Sequence, residues 1–338
     1  MEYDPFARGP HPVGVRSGEI VDATRGDRRM PFELWYPAPQ RYAMLGWAPG
    51  AQDAFTAAPG MDPQRQTAVR DAPIEPGRYP LVLYSHTSGG HRRQASFLCT
   101  HLASHGYLVA AADHTGNTVV EFAEGARRGA AGHAPTAEER EAQVQRLIAD
   151  RVPDVRFLLE QVVAGSAGAV AEHADAEKVA VMGCSFGGWT ALATPEFDDR
   201  VGALVAMAPA GNSKPLPGIL PVSLTFAWRR EVPTLFLVAE RDRATPLAGQ
   251  RELYERTPSQ RWMFILRNAG HGHFGDQVDE AETCTRQEAQ LFTRGLALAH
   301  LEGALKADEV ARTFMAGNVL AVLRDRGVDA AAYPGYAV

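Results

Sequence analysis

The stretch from Lys178 to Leu192 constrains the fold of this chain more than any other part. Lys178-Val-Ala-Val-Met182 is a short apolar run suited to a buried strand. It runs directly into Gly183-Cys184-Ser185-Phe186-Gly187, and Gly188, Trp189, Thr190, Ala191 and Leu192 then begin a helical pattern. Strand, sharp turn and helix around G-x-S-x-G is the context in which this motif lifts a serine hydroxyl clear of the backbone. The flanking glycines remove the Cβ atoms that would collide where strand and helix pass closely. The Phe186 amide falls at the helix N-terminus, where it can donate to negative charge developing on a carbonyl oxygen. With 32 glycines in the chain, the five-residue pattern alone can arise by accident. The strand before it and the helix after it are what single out Ser185 as a nucleophile.

The rest of the chain repeats the strand–helix rhythm. Val13 to Asp22 and Arg29 to Tyr36 read as an antiparallel hairpin at a sheet edge, turning at Thr24, Arg25, Gly26 and Asp27. Strands follow at Leu81–Ser85, Tyr107–Asp113, Val179–Gly183, Val201–Met207, Thr234–Ala239 and Trp262–Leu266. Helices are expected at Gln94–Ser104, closed by Gly106, at Val152–Val163 and at Leu247–Arg256. The tail from Gln287 to Val328 reads as helices packed on the sheet. This alternation predicts an α/β fold, a mostly parallel sheet with helices on both faces and ligands bound beyond the carboxyl ends of the strands. No linker or charge block divides the 338 residues, so a single domain over 1–338 is expected. Three segments break the rhythm, about 37–80, 115–149 and 208–230, and each is expected to be lid-like or a surface loop. In the second, the first half reads as a loop and the second half as helical.

A serine hydroxyl is scarcely ionised at neutral pH and needs a base, which in turn needs an orienting acid. In chains with this elbow the order is nucleophile, acid, base. Asp242 follows the strand Thr234–Ala239 and is the expected acid, with Glu240 as competitor and a turn or cap role before Pro246 as the alternative for Asp242 itself. The base is His271 or His273 in Asn268-Ala-Gly-His-Gly-His273, and His271 on the tight glycine turn is preferred. His273 would then line the site or pair with Asp276. A second donor to the carbonyl oxygen belongs in Ser85-His86-Thr87-Ser88-Gly89-Gly90, so the amides of Ser88 and Phe186 form the expected oxyanion pair. His86 is expected to orient that loop. Thr87, Trp189 and Phe226 are candidate substrate-binding residues, with Trp228 and Trp47 as weaker additions to an apolar rim.

Composition excludes several classes. A net charge of −6 with mixed signs argues against a nucleic-acid surface. Cys99, Cys184 and Cys284 are widely spaced, resembling neither a zinc pattern nor a disulfide framework. Cys184 is read as a small packing residue. His101 and His105 stand four apart on a helix, where a solvated helix end is the simpler reading than a metal pair. No metal or organic cofactor is expected. No basic and apolar leader precedes Asp4-Pro5, and no apolar run has the length of a membrane span, so a cytoplasmic setting without membrane contact is expected.

Four segments carry a resemblance: Pro31-Phe-Glu-Leu-Trp-Tyr-Pro37, Tyr84-Ser-His-Thr-Ser-Gly-Gly90, Ala103-Ser-His-Gly-Tyr107 leading to Asp113-His-Thr-Gly-Asn-Thr118, and the elbow. From about Val13 to Asp276 the chain resembles the α/β-hydrolases. Within them it is similar to the bacterial enzymes described as dienelactone-hydrolase-like or platelet-activating-factor-acetylhydrolase-like. Such relatives usually carry His-Gly-x-Gly in the oxyanion loop, where this chain has Thr87 in place of the first glycine. The resemblance implies a serine esterase acting on a small ester through an acyl-enzyme, on short-acyl or aromatic substrates. The polyester-cleaving cutinases share the fold and residue order, and acyl transfer or thioester cleavage would use the same machinery. A catalytically silent scaffold that binds a small ligand is the reading from a different class.

Overall fold

The computed structural model describes residues 3–132, 134–217, 219–277 and 281–335. The chain opens with two long strands, β1 (Val13–Asp22) and β2 (Arg28–Pro37), followed by β3 (Gln52–Phe55) and β4 (Gln64–Arg70). The alternating part runs β5 (Tyr79–Ser85), α1 (Ser96–Ser104), β6 (Leu108–Ala112), α2 (Val119–Ala130), α3 (Ala137–Val163), β7 (Ala174–Cys184), α4 (Phe186–Ala193) and β8 (Val201–Met207). It continues with β9 (Thr234–Ala239), α5 (Leu247–Arg256), β10 (Arg261–Leu266), α6 (Arg286–Leu305), α7 (Glu309–Ala316), α8 (Val319–Asp325) and β11 (Ala330–Tyr333).

All eleven strands join one sheet, in the order β11-β10-β9-β8-β7-β5-β6-β2-β1-β4-β3. The six central strands from β10 to β6 are mutually parallel. Every residue of β5 is buried, as expected of a parallel strand covered on both faces. Its side chains alternate: Val82 and Tyr84 join a core with Leu98 of α1 and Phe292 of α6, whereas Leu81 and Leu83 join a core with Leu159 of α3 and Leu192 of α4. The sheet is therefore covered on both sides, and the carboxyl ends of β5, β6, β7, β9 and β10 open toward one edge.

Three expectations are corrected by this topology. The hairpin of β1 and β2 does not form the sheet edge, because β4 pairs with β1 in parallel and β3 pairs with β4. Segment 37–80 is thus not a loose loop throughout, because it carries β3 and β4, which extend the sheet. Segment 115–149 is helical in its first half too, as α2. Both its helices start at a capping box, Thr118 with Glu121 and Thr136 with Glu139, each satisfying two orphan amides. The expected helix at Val152–Val163 is the end of α3, which continues through Pro153. The tail is helical as expected but ends in a short strand, β11, pairing antiparallel with β10. Among the described residues no helix is long and apolar enough to cross a membrane.

Candidate active site

The elbow between β7 and α4 is a strained turn. Ser185 sits at φ 57° and ψ −115°, a region that costs a residue with a side chain on the order of 1–3 kcal/mol. Its neighbours show why only glycine fits there. A Cβ on Gly187 would lie 1.9 Å from the Ser85 carbonyl oxygen, and one on Gly183 would lie 2.3 Å from the Gly187 carbonyl oxygen. Strand and helix therefore cross with their backbones in contact. The turn is pinned from outside as well: the Ser185 amide donates to the Met207 carbonyl (2.9 Å), and the Ala210 amide donates to the Ser185 carbonyl (3.1 Å). Ala208 (φ 42°) and Asn268 (φ 56°), just past β8 and β10, are also held in left-handed backbone. Burial pushes the Cys184 thiol above its ordinary range, which leaves it a packing residue.

Asp242 and His271 are brought together on the loops after β9 and β10. The His271 Nδ1 donates to Asp242 Oδ2 at 2.7 Å, which fixes the tautomer and leaves Nε2 free to accept. The Asp242 side chain is fully buried while that of His271 is 27% exposed, so the imidazole reaches the open side and the acid stays behind it. Asp242 also accepts from the amides of Ala244 (2.9 Å) and Thr245 (2.7 Å) and from the Thr245 hydroxyl (2.9 Å). It thus makes the turn before Pro246 and the bond to histidine at once. The Thr245 hydroxyl contacts the Ala208 carbonyl and His271 Nδ1 as well, tying the loops after β8, β9 and β10 into one unit. Glu240 is engaged elsewhere, accepting from Asn268 and Arg267.

His273 does something different from either of its expected roles. It is buried, donates from Nε2 to the Cys284 carbonyl (3.1 Å) and accepts the Gly270 amide at Nδ1 (3.1 Å). Asp276 does not meet it: that carboxylate caps α1 through the amides of Ser96 and Phe97, both at 2.9 Å, and burial raises its pKa to about 6. His101 and His105 are not a solvated helix end. Their rings lie 4.8 Å apart, and each engages an N-terminal carbonyl, of Pro5 and of Ala7 respectively.

The loop after β5 shows which amides are spoken for. The Thr87 amide donates to Gln94 Oε1, that of Gly89 to the Asn117 carbonyl and that of Gly90 to the Thr87 carbonyl. The Ser88 amide has no hydrogen-bond partner among the described residues, and neither does the Phe186 amide, the first of α4. The Thr87 hydroxyl is bound to Gln94, within the loop. Trp189 stacks on Phe186 (centroids 5.4 Å apart) and donates to the Ser223 carbonyl. It lines an apolar cavity of about 330 Å³ with Val152, Phe197 and Leu224. Phe226 is buried at φ 55°, packed edge-on against Trp228. Trp47 lies elsewhere, beside Arg8 at the β1 end of the sheet. A smaller cavity of about 140 Å³ brings Met61 and Gln64 of segment 37–80 against Gly89, Gly90, His91 and Val119.

Beneath the loop lies a polar cluster that sequence reading did not assemble. His114, after β6, bridges Ser85 Oγ at Nε2 and Asp154 Oδ2 of α3 at Nδ1, both at 2.9 Å. Asp154 is further held by Arg25 and Arg28. Burial alone would raise its pKa, but the bonds from Arg28 and His114 outweigh that and hold it well below the usual carboxylate range. Burial, reinforced by the Arg151 cation, pushes His114 down to about 4. His86 is also driven well below its ordinary range, by burial first and Arg151 second. His114 and Asn117 stood within a segment already noted in the sequence. Their partners on α3, Asp154 and Arg151, are 40 and 34 positions away, and no local pattern connects them.

Strand order, the elbow after β7 and the loops after β9 and β10 define the α/β-hydrolase fold. Within that class the chain resembles the platelet-activating-factor acetylhydrolases. A family model described as "Platelet-activating factor acetylhydrolase, isoform II" matches residues 20–123, which include the loop after β5 but end before the elbow. The chain is similar to the platelet-activating factor acetylhydrolase of Cavia porcellus, 25% identical over 313 residues, covering 80% of this chain and 68% of that one. It is also similar to that of Canis lupus familiaris, 26% identical over 239 residues, covering 61% of this chain and 50% of that one. The chain thus spans about half to two thirds of the length of these curated relatives. In structure it is similar to a ferulic acid esterase from Streptomyces cinnamoneus, with a TM-score of 0.65, 22% identity, and 89% and 93% of the two chains covered.

Proposed function

We propose that this protein is a serine carboxylic ester hydrolase working through an acyl-enzyme. The observation that carries the reading is the buried Asp242 bonded at 2.7 Å to a half-open His271, on loops stitched to the strained Ser185 turn. In this reading His271 Nε2 takes the Ser185 proton as Oγ attacks the ester carbonyl, and Asp242 stabilises the imidazolium that results. The tetrahedral oxyanion is received by the amides of Ser88 and Phe186, neither of which has a hydrogen-bond partner among the described residues. His271 then returns the proton to the departing alkoxide, and water removes the acyl group by the same steps reversed. None of these steps calls on a metal or organic cofactor. The unbroken sheet supports a single domain, and α2 with the exposed start of α3 supports a roof over the site.

The substrate is a small ester with a short acyl or an aromatic group. The names of the relatives support both, an acetylhydrolase and a ferulic acid esterase. Polyester fragments and acyl transfer remain variants of the same chemistry, distinguished by the acceptor and the leaving group. The test is a fluorophosphonate probe together with p-nitrophenyl esters of graded acyl length. Labelling at Ser185, and turnover that Ser185→Ala reduces by about 10³-fold or more, is the expected result. Absence of labelling in folded protein would overturn the reading in favour of a non-catalytic binding protein.

A further inference from the structure

We propose that Arg151 is a positioning residue that aims both oxyanion-hole amides. This rests on the reading of Ser185 as the nucleophile. Arg151 comes from α3 and is fully buried, yet among the described residues it forms no ion pair with a carboxylate. Its guanidinium instead donates to neutral oxygens: the His86 carbonyl at 2.6 Å, the Thr87 carbonyl at 3.1 Å, Asn117 Oδ1 and, more weakly, Ser85 Oγ at 3.3 Å. Burying a cation is costly unless its protons are used, and these contacts use those of Nη1 and Nη2 on the loops after β5 and β6, while Nε has no partner among the described residues.

The consequence follows from peptide geometry. The Thr87–Ser88 peptide is trans, so its carbonyl and its N–H point in opposite directions in one plane. The Thr87 carbonyl accepts from three donors: His86 Nδ1 at 2.7 Å, Arg151 Nη2 at 3.1 Å and the Gly90 amide at 3.1 Å. With the carbonyl pulled inward by three bonds, the Ser88 N–H is held pointing away from Arg151. Asn117, itself bonded to Arg151, donates to Ser88 Oγ at 3.0 Å and fixes the other side of the same residue. The second donor is held by the same cation. The Arg151 guanidinium carbon lies 4.2 Å from the centroid of the Phe186 ring, a cation–π contact on the residue whose amide completes the pair. His86 and the Ser85–His114–Asp154 line set the floor on which Arg151 rests. The His114 amide donates to His86 Nε2 at 3.0 Å, which fixes the His86 tautomer so that Nδ1 carries its proton to Thr87.

This clamp explains how Thr87 can occupy a position where relatives carry glycine. The loop's conformation is imposed by Arg151 and His86 from beneath, so the flexibility of glycine is not needed.

The decisive experiment compares wild type, Arg151→Met, Arg151→Lys and Asn117→Ala. The readouts are kcat and KM for p-nitrophenyl acetate and the inhibition constant of an alkyl trifluoromethyl ketone, whose serine adduct places an oxyanion in the hole. Arg151→Met should lower kcat by about 10²- to 10³-fold, the cost of losing an oxyanion donor, with KM changed less than about threefold. Inhibition by the ketone should weaken by the same factor as kcat/KM. Lysine, which keeps the charge but gathers its donors on one nitrogen in place of a planar fork, should restore only part of the loss. If Arg151→Met does not fold, Asn117→Ala decides, with an expected fall in kcat of about tenfold at unchanged KM. A folded variant with kcat within threefold of wild type, or with ketone inhibition unaltered, overturns the proposal while leaving Ser185 as nucleophile. A wild-type protein that neither turns over esters nor reacts with fluorophosphonate overturns the nucleophile reading itself.

Discussion

The molecule contains two histidine–aspartate pairs, His114–Asp154, which bonds onward to Ser85, and His271–Asp242, which is proposed to act on Ser185, and they differ in almost everything except residue type. In one, Asp154 and Ser85 flank His114 at 2.9 Å on each side. In the other, Asp242 holds His271 at 2.7 Å on the loops that pin the Ser185 turn. Ser85 ends a regular buried strand and also accepts from the Arg151 cation at 3.3 Å. Ser185 stands alone on a turn that forces its φ positive. The His114 side chain is 3% exposed against 27% for His271. On the proposed assignment of Ser185 as nucleophile, the comparison teaches that a hydrogen-bonded relay is insufficient for nucleophilic chemistry. The serine must also be lifted off its strand, and one face of the imidazole must meet substrate.

The largest effect should come from exchanging roles across this divide. Ser185→Ala should reduce ester turnover by about 10⁵- to 10⁶-fold, whereas Ser85→Ala should cost less than about tenfold and chiefly lower stability, by about 1–3 kcal/mol for the buried partners left unpaired. Steady-state kinetics beside urea melts separates the two, and equal rate losses would erase the distinction. Next in size, Asp242→Asn should lower kcat by about 10⁴-fold by disturbing the tautomer of His271. Asp154→Asn should leave kcat far closer to wild type but destabilise the fold by about 3–5 kcal/mol, towards the lower figure because Arg25 and Arg28 are partly exposed to water.

The smallest effect is a pH slope. His114 is held near 4 when folded, below the value of about 6.5 of an unfolded histidine. The unfolded chain therefore binds a proton that the folded chain refuses, so stability is complete above pH about 6.5 and declines as pH falls toward 4. His91 and His300, also near 4 through burial, add to the same slope. Asp276, raised to about 6, opposes part of it, since its folded form favours the proton. Melting temperatures between pH 4 and 7 should rise with pH, and His114→Gln should flatten the rise. An unchanged slope in that variant would remove His114 from the account.

The elements that local pattern determines were legible: the central strands, the elbow and the segment carrying His271 are set by apolar runs and by glycine spacing. The capping boxes at Thr118 and Thr136 were equally visible as Thr-x-x-Glu, yet α2 was read as loop although Val119, Phe122, Ala123 and Ala126 fall on one helical face. That helix buries none of its residues, so its apolar face does not enter the core. The strands β3 and β4 are short and polar, and they become strands only because β1 offers an open edge. The clamp under the oxyanion loop was beyond reach for another reason. Arg151 reads as one more charge on an exposed helical stretch until the fold turns it inward against His86.

Met61 and Gln64 border the oxyanion loop while belonging to a peripheral ribbon that carries none of the reacting groups. Changes in length or composition there can reshape the entrance without touching the relay or its clamp. Selectivity can thus drift across descendants of this chain while the bond-breaking apparatus stays constant, and a library restricted to the turn between β3 and β4 is where new preferences would first emerge.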